Sequence, residues 1–181
     1  TEKHLINVKV VKSAINLGHG KARQLGLLKS NYDYVAIMDA DDISEKNRFM
    51  HEIEILKNNP DISVVGGQIL EVYPDNTQMI RRVPLTNEEI YLEMKYRCPI
   101  NQVTAMFRKK DILSVGGYQD WYHNEDYYLW IRLARSNYQF MNTDKTLVRV
   151  RAEDGMVKRR GGWRYFKSNL SFQRYLYTIR F

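Results

Sequence analysis

Cysteine is nearly missing from this chain. Cys98 stands alone among 181 residues, which excludes an internal disulfide framework and a cysteine-built zinc site. One thiol fits a reducing compartment, so a cytoplasmic location is expected, with the inner face of the membrane left as an option. Missing too are an apolar run long enough to cross a bilayer and the pattern of a signal peptide. The chain opens on Thr1 rather than methionine, which fits a processed chain or one cut from something longer.

What is present supports one globular domain with a real core and a short appendage: 44% of residues are hydrophobic and 27% charged. The expected division is a main domain over residues 1–155 and a basic, aromatic, helical segment over 156–181. The net charge of +7 is uneven. Residues 1–148 balance, whereas residues 149–181 hold nine Lys and Arg against Glu153 and Asp154. A neutral body with a basic tail calls for an anionic partner at that end.

Periodicity predicts an alternation of strands and helices. Residues 6–11, "INVKVV", read as a strand. A glycine-rich turn follows, then a helix over 20–30 with Ala22, Leu25 and Leu28 on one side. Residues 34–38, "YVAIM", are continuously apolar, the pattern of a strand covered on both faces in a parallel sheet. Asp42 and Glu45 are spaced as an N-cap and its third helical residue, opening a helix with Phe49, Ile53 and Leu56 inward. A hairpin is expected through "PDN", and a capping box at Thr86 and Glu89 opens another helix to about Tyr96. "VTAMF" reads as a strand, "KKDILSV" and "NEDYYLWIRLARS" as helices, and "TLVRVR" as a strand. The alternation implies an α/β layered fold.

The chemistry lies in two acidic stretches. In "YVAIMDADDIS", Asp39, Asp41 and Asp42 fall within four positions, at the carboxyl end of a strand, where such sheets bind ligands. A capping role accounts for Asp42 but leaves Asp39 and Asp41 without a purpose. A calcium loop is disfavoured, because Ser44 stands where an EF-hand requires glycine. The carboxylates suit Mg²⁺ or Mn²⁺ shared with a diphosphate. A haloacid-dehalogenase-like phosphatase, which also places Asp-x-Asp after a strand, is the runner-up. The second stretch, "WYHNEDYYLWIRL", sets Glu125 and Asp126 at a helix start behind Trp121, Tyr122 and His123. Acids favour helix N-termini through the macrodipole, but a carboxylate beside aromatic rings can also deprotonate a sugar hydroxyl.

"NLGHGKARQLGL", "IMDADD", "RCPINQVTAMFRK", "GGYQDWYHNEDYYLWIRL" and "VRVRAEDGMVKRRGG" occur in one order, and together they resemble glycosyltransferase family 2, in its bacterial exopolysaccharide and capsule branch of the amylovoran type. The resemblance implies a GT-A (Rossmann-like) nucleotide-diphospho-sugar transferase fold, a mixed sheet flanked by helices, and an inverting, metal-dependent transfer. It also implies that the chain is N-terminally truncated, with roughly 60 to 70 residues, a βαβ unit or two, standing before this point in relatives.

By the same resemblance, Asp39, Asp41 and Asp42 hold the metal, Asp39 also meeting the nucleotide. Asp126 is the base, and Glu125 positions the acceptor. Gly18, Lys21, Arg23, Trp121, Arg159 and Arg160 contact substrate or nucleotide. The implied partners are a nucleotide-sugar donor, UDP-hexose favoured, and a saccharide or lipid-linked acceptor.

The tail places Trp163, Phe166, Leu170 and Tyr177 at helical spacing among Arg164, Lys167 and Arg174. Such a helix either packs that stripe on the body or lies on an anionic membrane, so peripheral membrane contact stays open. A basic nucleic-acid-binding module is the non-enzymatic rival. It is disfavoured because the two acidic stretches would repel phosphates, so no nucleic-acid partner is expected.

Overall fold

The β-branched run "ISVVGGQILEV" is the strand that organises the molecule: every residue from Ile62 to Ile69 is buried. The structure, a computed structural model, describes residues 8–152 and 162–181. In chain order its elements are α1 (Gly18–Lys29), β1 (Tyr34–Ala36), β2 (Ile43–Ser44), α2 (Arg48–Asn58), β3 (Ile62–Val72), β4 (Gln78–Arg81), α3 (Asn87–Glu93), β5 (Met106–Arg108), α4 (Lys109–Ser114), α5 (Glu125–Arg135), β6 (Gln139–Arg151) and α6 (Trp163–Thr178).

The sheet is mixed, in the order β1-β5-β3-β6-β2, with β4 also paired to β3. β3 runs parallel to β6 along nearly its whole length. Its other edge takes β5 near the start, at Val64 and Val65, and β4 near the end, from Ile69 to Val72, both antiparallel. The main core lies where α5 packs on this sheet. Leu129, Trp130, Ile131 and Leu133 meet Phe107, Phe140 and Phe172 there, all essentially inaccessible to water. The hairpin through Asn76, which takes a positive φ of 65°, and the capping box of Thr86 and Glu89 form as expected.

Several local expectations are corrected. The described part of the 6–11 strand, residues 8–11, carries no strand and is exposed. Continuous burial belongs to β3, whereas β1 is half-buried and pairs only with β5, antiparallel. Asp42 caps no helix: Ile43 and Ser44 are drawn into pairing with Arg149 and Val148, and α2 begins only after Asn47. The inward side of α2 is Arg48, Glu52 and Leu56, while Phe49 faces solvent. A charged pair is buried there, with Arg48 donating to one Glu52 oxygen at 3.1 Å and to the carbonyl of Ile37 at 2.9 Å. The other Glu52 oxygen has no partner among the described residues, and burial pushes that acid up to about 7. On α1, Ala22 and Leu28 are exposed; Leu27 is buried in the core and Arg23 and Gln24 half-buried, because that inner side meets core at Leu27 and polar groups at Arg23 and Gln24. α6 likewise turns Phe172 and Leu176 inward, not the stripe read from the sequence.

Candidate active site

The loop that leaves β1, the N-terminal end of α5, the inner side of α1 and the inner side of α6 open onto one cleft of about 760 Å³. Asp39, Asp41, Asp42, Arg23, Glu125 and Asp126 all line it. The two acidic stretches, more than 80 positions apart in sequence, are therefore one site.

Arg23 joins them. Its guanidinium donates to the carboxylate of Glu125 at 2.6 Å and lies 3.6 Å from that of Asp39. The approach of α1 that makes this reach feasible depends on Gly20. A Cβ there would sit 2.9 Å from the Asp120 carboxylate and 3.3 Å from both the Gln119 carbonyl and the Glu125 side chain. Gln24 tightens the same contact by accepting from the Tyr118 backbone N–H at 2.7 Å.

Each group of acids contains one carboxylate raised above its ordinary value. Burial, followed by the charges of Asp41 and Asp39, pushes the Asp42 acid up to about 6. Burial, followed by the neighbouring Glu125 carboxylate, pushes Asp126 up to about 6 as well, against the opposing pull of the Tyr127 backbone N–H and Arg23. A carboxylate so poised is ionised at neutral pH yet basic enough to accept a proton. Glu125 is engaged differently, held by Arg23 with the His19 imidazole 3.6 Å away.

The acid loop offers carboxylate oxygens only, the donors that Mg²⁺ and Mn²⁺ prefer. Among the described residues no three His, Cys, Asp or Glu side chains converge into a ready cage. That suits cations which take one or two protein carboxylates and fill the rest of their shell with water and phosphate oxygens. The residues present therefore fit such an ion.

Other expectations separate here. Gly18 takes a positive φ of 73° at the start of α1, as a glycine allows, but does not line the cleft. Lys21 is turned away and paired with Asp120 at 3.0 Å. Trp121 also misses the cleft: Tyr128, Phe172 and Tyr175 surround its ring, with centroids 5.0 to 5.4 Å away. Its role is to seat α6, because a large ring beside three others is worth more in the core than at a wet rim. Arg159 and Arg160 lie outside the described residues.

Of the three residues read before the two acids, His123 lines the cleft, and so do others that the sequence did not mark. His123, at a positive φ of 57°, presents its ring with Tyr165 from α6. Asn169 accepts from Asn124 at 3.0 Å. Arg81, Arg82, Arg97 and Arg151 bring cations to the same space. His123 was marked by its place in "YHNED"; the others come from elements whose facing is set by packing.

The model of the Glycosyl transferase family 2 domain matches residues 2–117. Over 171 residues the chain is 33% identical to the amylovoran biosynthesis glycosyltransferase AmsE of Erwinia amylovora, covering 94% of this chain and 64% of that one. It is 31% identical over 181 residues to the UDP-Gal:alpha-D-GlcNAc-diphosphoundecaprenol beta-1,3-galactosyltransferase of Escherichia coli, covering 99% and 66%. The chain thus spans just under two thirds of the length of these curated relatives. Among solved structures, the mannosyltransferase PcManGT of Pyrobaculum calidifontis, in complex with GDP-Man and Mn²⁺, aligns with a TM-score of 0.65 at 15% identity, over 96% of this chain and 47% of that one. The fold is therefore GT-A, as expected.

Proposed function

We propose, from the premise that this chain belongs to glycosyltransferase family 2, that its cleft transfers a sugar from a nucleotide-diphosphate donor to a saccharide hydroxyl with inversion. The observation that carries the reading is the meeting, in one cleft, of a crowded acid loop and a separate raised carboxylate, Asp126, at the head of a helix. Asp126 accepts the proton of the acceptor hydroxyl. The freed oxygen attacks the anomeric carbon from the side opposite the nucleotide, and the bond to the diphosphate breaks with its electron pair on the phosphate oxygen. Glu125, fixed by Arg23, holds the acceptor beside Asp126. Ring faces of His123 and Tyr165 suit the apolar face of a sugar.

Asp39, Asp41 and Asp42 would hold Mn²⁺ or Mg²⁺, which when bound neutralises charge growing on the leaving diphosphate. Arg81, Arg82, Arg97 and Arg151 supply further cations for substrate phosphates. The donor read from resemblance is a UDP-hexose. A lipid-linked diphosphate saccharide is the acceptor class that fits both the arginines and the galactosyltransferase relative.

Incubating the intact protein with UDP-hexoses and Mn²⁺ over a saccharide panel tests the reading. NMR of the product should show the opposite anomer to the donor, and chelation should stop its formation. Retention of configuration, or full turnover after chelation, would overturn it.

A further inference from the structure

α6 carries two apolar faces, and among the described residues only one of them packs into the core. The inward face is Phe172 and Leu176 in the core, flanked by Tyr165 and Tyr175. On the opposite side Trp163, Phe166 and Tyr177 are 69%, 53% and 87% exposed, with Leu170 between them. Their offsets of 3, 7 and 14 positions keep them in one stripe, and Lys167 and Arg174, at offsets 4 and 11, fall within it. The rings of Trp163 and Phe166 stack at 5.3 Å, and the Lys167 ammonium sits 5.3 Å over the Trp163 ring.

A helix whose only task is to close the core has no use for a second aromatic stripe. Exposing four large side chains in a row invites association. The charge on the helix selects the associate. Residues 162–181 contain no Asp or Glu, and Arg164 and Arg180 add to the positive charge of Lys167 and Arg174. A second copy docking face to face through this stripe would set each Lys167 and Arg174 near its own counterpart, which is repulsive. Aromatic rings interleaved with Lys and Arg instead match a headgroup layer, where rings sink to the acyl boundary and cations stay with lipid phosphates. No helix among the described residues is long and apolar enough to span a bilayer, so the helix would lie flat.

We infer that the outward face of α6, Trp163, Phe166, Lys167, Leu170, Arg174 and Tyr177, docks the protein on an anionic phospholipid surface. The consequence for the cleft is geometric. The inner side of the same helix contributes Tyr165, Asn169 and Gln173 to the cleft wall and ties the approach to α5 through Asn124–Asn169 and the Ser168 bond to the Tyr122 carbonyl at 2.7 Å. Docking this helix therefore places the acceptor side of the cleft at headgroup level. That consequence rests on the glycosyl-transfer reading; the docking itself does not.

The test is co-sedimentation of the intact protein with vesicles of phosphatidylethanolamine and phosphatidylglycerol, against vesicles of phosphatidylcholine alone. Two variants are compared: Trp163→Ser with Phe166→Ser, Leu170→Ser and Tyr177→Ser, and Lys167→Glu with Arg174→Glu. The wild type should bind the anionic vesicles and lose binding in high salt. The charge variant should bind them at least about 25-fold more weakly, some fivefold for each cation removed, and the apolar variant should also lose binding. Both should keep the wild-type melting curve and transfer to a water-soluble acceptor, so loss of docking reads separately from loss of catalysis. Equal binding by all three proteins, or equal binding to both vesicle types, would overturn the inference. So would a solution dimer that the variants dissociate, which would assign the face to self-association.

Discussion

Two sets of carboxylates share the cleft and are held in opposite ways. Asp39, Asp41 and Asp42 crowd one another on a loop at the sheet edge, and the Asp42 acid is raised partly because its neighbours are anions too. Glu125 and Asp126 stand at the head of a helix packed into the core, with Arg23 bound to one and lowering the other. Among the described residues, the ion pair that reaches the first set is the 3.6 Å approach of Arg23 to Asp39. The second is enclosed, with its orientation settled by the fold. A set of acids left to repel one another suits an exchangeable cation that arrives with substrate. A raised acid at the head of a packed helix suits proton transfer, because the fold fixes its surroundings.

Breaking the second set should have the largest effect. Asp126→Asn is expected to lower kcat by roughly 10²- to 10⁴-fold in a steady-state transfer assay. Next comes the support of the first set. Arg48 and Glu52 lie fully buried behind the acid loop, with Arg48 bonded to the carbonyl of Ile37, two residues before Asp39. Arg48→Ala leaves Glu52 buried without its cation and should cost about 3–5 kcal/mol in urea unfolding. Replacing both by apolar residues of similar size should recover most of that loss.

Arg23→Ala cuts the link between the sets. It leaves the Glu125 carboxylate without its donor, at about 1–3 kcal/mol. Removing a cation that lowers Asp126 should also move the acid limb of kcat/KM above its wild-type position near pH 6. The smallest effect is on stability against pH in the absence of metal. Asp42 and Asp126 are raised from 3.8 to about 6 in the fold. Their favourable contribution is complete below pH 3.8 and lost as pH rises through 6, so melts should weaken over that interval. Mn²⁺ should restore the part owed to Asp42 and leave that of Asp126.

Much of this was legible in the sequence, and the exceptions share a cause. The acidic pair of stretches, the hairpin, the capping box and α5 rest on local signals, spacing and turn chemistry, and these hold. What failed were decisions about which side of a helix faces inward. "WRYFKSNLSFQRYLYT" contains two apolar stripes; the sequence marked that of Trp163 and Phe166 and left its facing open, and the inward one of Phe172 and Leu176 went unmarked. In α2 the inward side hides behind charge, because Arg48 and Glu52 neutralise each other and a hydropathy pattern sees only two polar residues. Trp121 beside two acids suggested a sugar platform, but the rings of α6, far along the chain, claim it for packing. Asp42 was drawn from its expected cap by strand pairing with β6, a contact more than 100 positions away.

The division of labour between the two acid sets is tested most directly by calorimetric titration of UDP with Mn²⁺ into the intact wild-type protein, Asp41→Asn and Asp126→Asn. Metal-dependent nucleotide binding should fall by at least roughly 10- to 100-fold in Asp41→Asn, while Asp126→Asn binds as wild type despite its loss of transfer. Unchanged binding by Asp41→Asn, or loss of binding in Asp126→Asn, would contradict the assignment of metal to the loop and proton transfer to the helix.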